Sequence, residues 1–269
     1  MDLAPPERRG EAMSFASLSL YIGIGAGPLI GEAAVAWGGF AAAWGVAIAL
    51  GLVAVGLSLR LPAMRPEPSD GVHGPHRLVH PAGLLPGSIL FAAIWGMGGF
   101  LAFVPLYVGD VGMSGSGALL GLFAGIVVAI RSLGARIPDR VGAGATTRVS
   151  LALTASGLGL IGLWRSPAGL VAGTILLGVG VALFTPAVFA LAVEGVPADE
   201  RGAVMGTTSA FLDLAFGLGP ASLGFVAAAV GRGGTFVVGA AVAAAGLAVV
   251  FVTRLGDRAA RTPLGADAP

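Results

Sequence analysis

Two carboxylates lie inside apolar runs, and they are the residues most able to do chemistry. Asp213 is twelve residues beyond Arg201, about 18 Å along a helix that rises about 1.5 Å per residue. That places it slightly past the middle of a hydrocarbon core about 30 Å thick. A carboxylate at that depth costs about 2.5–3.5 kcal/mol on insertion scales, so it needs a reason. Desolvation favours its neutral form, and access to water favours ionisation. Asp213 therefore reads either as a proton carrier or as a polar tie to a neighbouring helix. Glu32 is 23 residues beyond Arg9, about 35 Å along the same kind of axis and so near the opposite surface. It reads as a hydrated interfacial carboxylate that could still contribute to an outer vestibule.

The other chemically suggestive patterns lead elsewhere. His73, His76 and His80 have ligand-like spacing, but they sit in a Pro-rich stretch with only Asp70 nearby. They read as loop residues, and no metal or other cofactor is expected. Gly23-x-Gly25-x-Gly27 has the spacing of a dinucleotide fingerprint. No strand precedes it, however, and it sits within a helix rather than opening one. No nucleophile–base pair or phosphate loop falls on a soluble element, so no active site is expected and the chain does not read as an enzyme. There is no cysteine, which excludes disulfides and thiolate chemistry. A net charge of +1 makes nucleic acid an unlikely partner.

The elements that must position these residues are membrane helices. Hydrophobic residues make up 56% of the chain and charged residues 11%, with a mean hydropathy of +0.91. A soluble domain carries about 25% charged residues. Runs long and apolar enough to span a bilayer fall at 12–37, 40–59, 89–108, 114–133, 149–164, 168–193, 204–230 and 235–252. The fourth and fifth are the weakest, being short and interrupted by Gly and Ser. Residues 62–86, with six prolines, read as a loop between two bundles. The expected organisation is 1–61 as the last two helices of a first bundle, 62–86 as a cytoplasmic loop, 87–254 as a six-helix bundle, and 255–269 as a tail. All 15 basic residues are arginine. With every span crossing and residues 1–11 inside, 13 of the 15 lie inside and only Arg165 and Arg232 outside, a strong positive-inside split. Both termini are then cytoplasmic.

An internal repeat sets the architecture. At a fixed offset of 192 residues, Pro5 meets Pro197, Arg9-Gly10 meets Arg201-Gly202, Met13 meets Met205, Gly25 meets Gly217, and Gly27-Pro28 meets Gly219-Pro220. No gap is needed. A six-helix unit repeated in parallel orientation is how two-bundle transporters are built. On this reading the chain holds one full repeat and the last two helices of another. Asp213 pairs with Tyr21 across the repeat, so the carboxylate belongs to one half only.

At these residues the chain resembles the major facilitator superfamily (MFS). Gly23, Gly25, Gly27, Pro28 and Gly31 are similar to the Gly-Pro element of the family's fifth helix, and Gly217, Gly219, Pro220 and Gly224 to its eleventh. The loop from Arg131 through Asp139-Arg140-Val-Gly142 resembles the family's Asp-Arg-x-Gly loop between its eighth and ninth helices, with Ala135 where Gly is usual and Ala143 where a basic residue usually follows. Phe103-Val-Pro-Leu-Tyr107 resembles the end of the seventh helix. The resemblance covers about residues 5–254. It implies an all-α membrane protein of eight transmembrane helices, a two-bundle fold lacking the family's first four helices, with those N-terminal helices in the same gene.

The resemblance also implies roles. The Gly-Pro ladder is associated with exporters; physically it permits close packing and a kink at Pro28, either for gating or for packing alone. The loop of Arg131, Asp139, Arg140 and Gly142 reads as a conformational latch or as an ordinary solvated positive-inside loop. Trp95, Met97, Phe100, Phe184 and Thr185 lie on the helices that line the family's central cavity, and they would suit an apolar or amphipathic substrate if they face it rather than lipid or core. The expected function is secondary transport of small molecules across the inner membrane by alternating access, coupled to protons as an antiporter working in efflux. The alternatives are a proton-linked importer of a metabolite, and a truncated membrane protein that does not transport. The expected partners are a small-molecule substrate, protons and the lipid bilayer.

Overall fold

The computed structural model describes residues 9–60, 79–133, 141–197 and 200–256, with the side chains of the first helix described from Tyr21 onward. Among these residues there are seven α-helices: α1 (Arg9–Ser58), α2 (Pro81–Tyr107), α3 (Gly117–Leu133), α4 (Ala143–Leu163), α5 (Pro167–Ala192), α6 (Arg201–Val230) and α7 (Arg232–Thr253). Six are long and apolar enough to cross a membrane, and α3 is shorter. The chain divides into two compact units, residues 1–76 and 77–269.

The first unit holds α1. Its 50 residues form one helical element in which Gly38 (φ −149°, ψ 25°) and Gly39 (φ 67°, ψ −166°) leave helical geometry. The break falls between the expected spans 12–37 and 40–59, so those two spans appear as one helix with an internal break instead of two helices joined by a loop. Only two residues make the change of direction, and Gly39 does so at a positive φ that glycine adopts without a Cβ penalty.

The second unit holds α2–α7. Residue choice explains several helix starts. α2 begins at Pro81, inside the stretch expected to be loop, because His80 caps it: its Nδ1 accepts from the Ala82 amide at 3.3 Å, and Pro81 occupies the first turn, where a missing N–H costs nothing. α5 repeats the device, with Ser166 Oγ accepting from the Gly169 amide at 3.1 Å and Pro167 following. α4 starts at Ala143, six residues before the expected 149. The polar first turn that obscured it is accommodated internally: the Thr146 and Thr147 hydroxyls donate to the carbonyls of Gly142 and Ala143 at 2.9 and 2.8 Å.

α2 is the central helix. Every residue from Ala92 to Phe100 is buried, and α2 packs against α4, α5, α6 and α7. It runs parallel to α6 in constant register. The His80 amide donates to Thr207 Oγ1 at 2.8 Å and Trp95 Nε1 donates to Ser222 Oγ at 3.0 Å, both across 127 residues. α4 and α5 approach backbone to backbone. A Cβ on Gly157 would lie 2.7 Å from both the Gly173 carbonyl oxygen and the Leu177 nitrogen, and one on Gly173 would lie 2.6 Å from the Gly157 oxygen. Gly157→Ala is therefore expected to lower stability by about 1–3 kcal/mol through overpacking, read as a lower Tm in detergent. Gly159→Ala, whose Cβ meets only Ala240 Cβ at 3.9 Å, should leave Tm near wild type.

Candidate functional site

The α6 segment from Asp213 to Gly224 and the α2 segment from Trp95 to Phe100, noticed separately in the sequence, pack against each other. Pro220 has no N–H to give the helix, and the nearby side chains form a short relay. The Trp95 indole donates to Ser222 Oγ, and the Ser222 hydroxyl donates to the Leu218 carbonyl at 2.6 Å. Gly219 makes the approach possible, since a Cβ there would sit 3.0 Å from the Trp95 carbonyl oxygen. Gly98 faces the Ala215 carbonyl and Pro220 Cδ at 3.6 and 3.7 Å from its Cβ position. The buried side of α6 thus carries Ala215, Gly219 and Leu223.

Asp213 lies on the other side of α6. It is exposed within its unit, along with Ala210, Gly217 and Ala221. Among the described residues it makes no hydrogen bond or ion pair. It stands thirteenth in a helix of 30 residues, so the mid-helix position expected from spacing is its position here. Its repeat mate, Tyr21, is 5% exposed in the first unit. Glu32 is exposed, as are Gly23 and Gly27, whereas Gly25 is buried and Pro28 and Gly31 are half-buried. Gly224 is half-buried on α6.

The expected cavity residues divide. Met97, Phe100 and Phe184 are 1%, 0% and 0% exposed, and Phe100 stacks on Phe123 with ring centroids 5.4 Å apart. Within this unit they are core. Trp95 reaches the α2–α6 seam, and Thr185 is half-buried with its hydroxyl oxygen buried and unbonded among the described residues. Of the loop residues, Arg131 lies in the last turn of α3 and Gly142 caps α4 at φ 92°, while Asp139 and Arg140 lie outside the described residues. His73 and His76 also lie outside them.

Two polar contacts escaped the sequence. His80 Nε2 lies 3.4 Å from Glu200 Oε2, joining the starts of α2 and α6. Arg232 Nη1 donates to Asp110 Oδ1 at 2.8 Å and to the Leu106 carbonyl at 3.3 Å, joining the end of α2 to the start of α7. Span counting puts each pair on one membrane face, which is the only signal available. Nothing local in the sequence selects partners more than a hundred residues apart.

An all-helical unit of apolar spans with glycine-mediated contacts and a mid-helix carboxylate describes a polytopic membrane protein. Residues 1–161 and 139–268 match the Major Facilitator Superfamily, and the chain belongs to that family. It is 29% identical over 256 residues to an uncharacterized MFS-type transporter of Salmonella typhimurium, covering 94% of this chain and 64% of the relative. It is 29% identical over 209 residues to the uncharacterized MFS-type transporter YhhS of Escherichia coli K12, covering 78% and 51%. It is 32% identical over 212 residues to an uncharacterized MFS-type transporter of Pseudomonas aeruginosa, covering 74% and 50%. The chain thus spans between half and two thirds of the length of these relatives.

The Trp95–Ser222 relay is open to test. Ser222→Ala leaves the indole N–H without its acceptor and is expected to cost about 0.5–2 kcal/mol, seen as a lower Tm in detergent. Ser88→Ala, on the exposed side of α2, should change Tm little.

Proposed function

We propose that the chain serves secondary active transport of small, mostly apolar compounds by alternating access, with protons carried by Asp213. The observation that carries this reading is Asp213 itself. It is a carboxylate midway along a membrane helix, on the side of that helix left exposed within its unit, without a charge partner among the described residues. Such a group is expensive in the bilayer and is by default a functional candidate. It favours the neutral form when shut away from water and the ionised form when hydrated, which is what a carrier of protons between two access states requires.

The topology we propose has eight crossings. α1 is read as two of them, since the 38 residues of its apolar stretch Tyr21–Ser58 are nearly twice the ~20 that one crossing needs. The parallel run of α2 and α6 supports a further even number of crossings from α2 through α5, so α3 crosses as well despite its length. The distribution of arginines favours cytoplasmic termini in the cell inner membrane. The glycine ladder at Gly23–Gly31, on its resemblance to exporters, favours efflux. Trp95 and Thr185 are the proposed cavity residues best placed to meet a substrate. Met97, Phe100 and Phe184 would act by holding the cavity wall.

The test is flux in proteoliposomes containing the transporter, with a lipophilic fluorescent dye as probe. Asp213→Asn should reduce dye movement driven by an imposed pH gradient to background, while gradient-independent exchange stays within about twofold of wild type. Unchanged gradient-driven movement in the variant would remove Asp213 from the mechanism.

A further inference from the structure

The two arginines that the positive-inside pattern leaves on the opposite face have different surroundings. Arg232 is committed to Asp110 and the Leu106 carbonyl. Arg165 is exposed and has no hydrogen bond or ion pair among the described residues; its Nε lies near the start of α7, 3.5 Å from where a Cβ on Gly233 would be, close to the Tyr107 ring. It directly follows Trp164, where α4 ends.

The last two turns of α4 carry an apolar groove of about 520 Å³, lined by Ser156, Gly159, Leu160, Leu163 and Trp164. Its floor is Gly159, beside Ala240 on α7. The groove runs from Ser156 to Trp164, eight helical steps or about 12 Å, close to the roughly 15 Å depth of one leaflet's hydrocarbon. Leu163 and Trp164 are 75% and 52% exposed at its mouth, and Trp is a residue of the membrane–water interface.

We propose that this groove binds an anionic phospholipid, with one acyl chain lying along Gly159 and Leu160 and the phosphate held by Arg165. Charge complementarity selects the occupant. An unpaired guanidinium stands at the headgroup level, and a basic side chain at a membrane surface prefers anionic lipid. A guanidinium also matches phosphate geometry with paired donors. The site needs only that α4 ends at a membrane face, whichever face that is.

Trp164 reports on its own groove. The chain is placed in vesicles containing brominated phosphatidylglycerol or brominated phosphatidylcholine, and the quenching due to Trp164 is taken as the difference from Trp164→Phe. Phosphatidylglycerol is expected to be preferred at Trp164 by about fivefold, the effect of one basic residue near an anionic headgroup. Arg165→Gln should bring that preference to about one, and Arg60→Gln should leave it unchanged. Gly159→Leu fills the groove where its Cβ has room and should abolish quenching by both lipids. Equal quenching by the two lipids in the wild-type chain would overturn the headgroup assignment. Wild-type quenching in Gly159→Leu would overturn the acyl-chain assignment. No quenching of Trp164 by either lipid would mean that protein covers the groove, which overturns the proposal as a whole.

Discussion

Lipid tails are as apolar as leucine, so nothing hydrophobic drives one membrane helix onto another. Association must come from close packing and from hydrogen bonds between helices. The six-helix unit meets that constraint with glycine. α4 and α5 touch backbone to backbone at Gly157 and Gly173. α2 takes the ring of Phe211 against Gly87 and the side chain of Leu223 against Gly99. A chain with 46 glycines in 269 residues is thus carrying its adhesive in the residues that lack side chains. The same constraint governs polar groups. Buried hydroxyls such as Thr174 and Thr208 bond to carbonyls of their own helices, at 2.7 and 2.9 Å, since no water is there to satisfy them.

Much of this was legible before any coordinates. Helix positions followed from apolar length, and the break at Gly38 and Gly39 in α1 falls in the two-residue gap between the apolar runs 12–37 and 40–59. Helix starts were read less well. α2 and α4 begin earlier than expected because their first turns are built from Pro, His, Thr and Gly, which lower hydropathy while capping or bonding to the backbone. A scan of apolarity is blind to that compensation.

The candidate site was half legible. Depth along a helix depends only on counting residues, so the mid-helix position of Asp213 could be anticipated. Which way a side chain faces depends on neighbours, and the sequence could not separate core from cavity. Met97 and Phe100 turn inward because α2 is surrounded on most sides, and Phe184 is buried on α5. The seam between the Trp95 segment and the Gly-Pro segment was out of reach for the same reason. Its two strands of evidence lie 127 residues apart, and neither names the other.

The two fastenings between α2 and α6 have a mechanical meaning. His80 holds Thr207 at one end and Trp95 holds Ser222 fifteen residues further along each helix, about 22 Å away. A single fastening would let one helix swivel about the other. Two in the same register remove both swivel and slip, because a shift by one turn would break them together. The pair is therefore a stiff beam through the middle of the unit, despite the prolines in both members. Any rocking of this unit carries the beam as one piece, and with it every group mounted on its uncovered side.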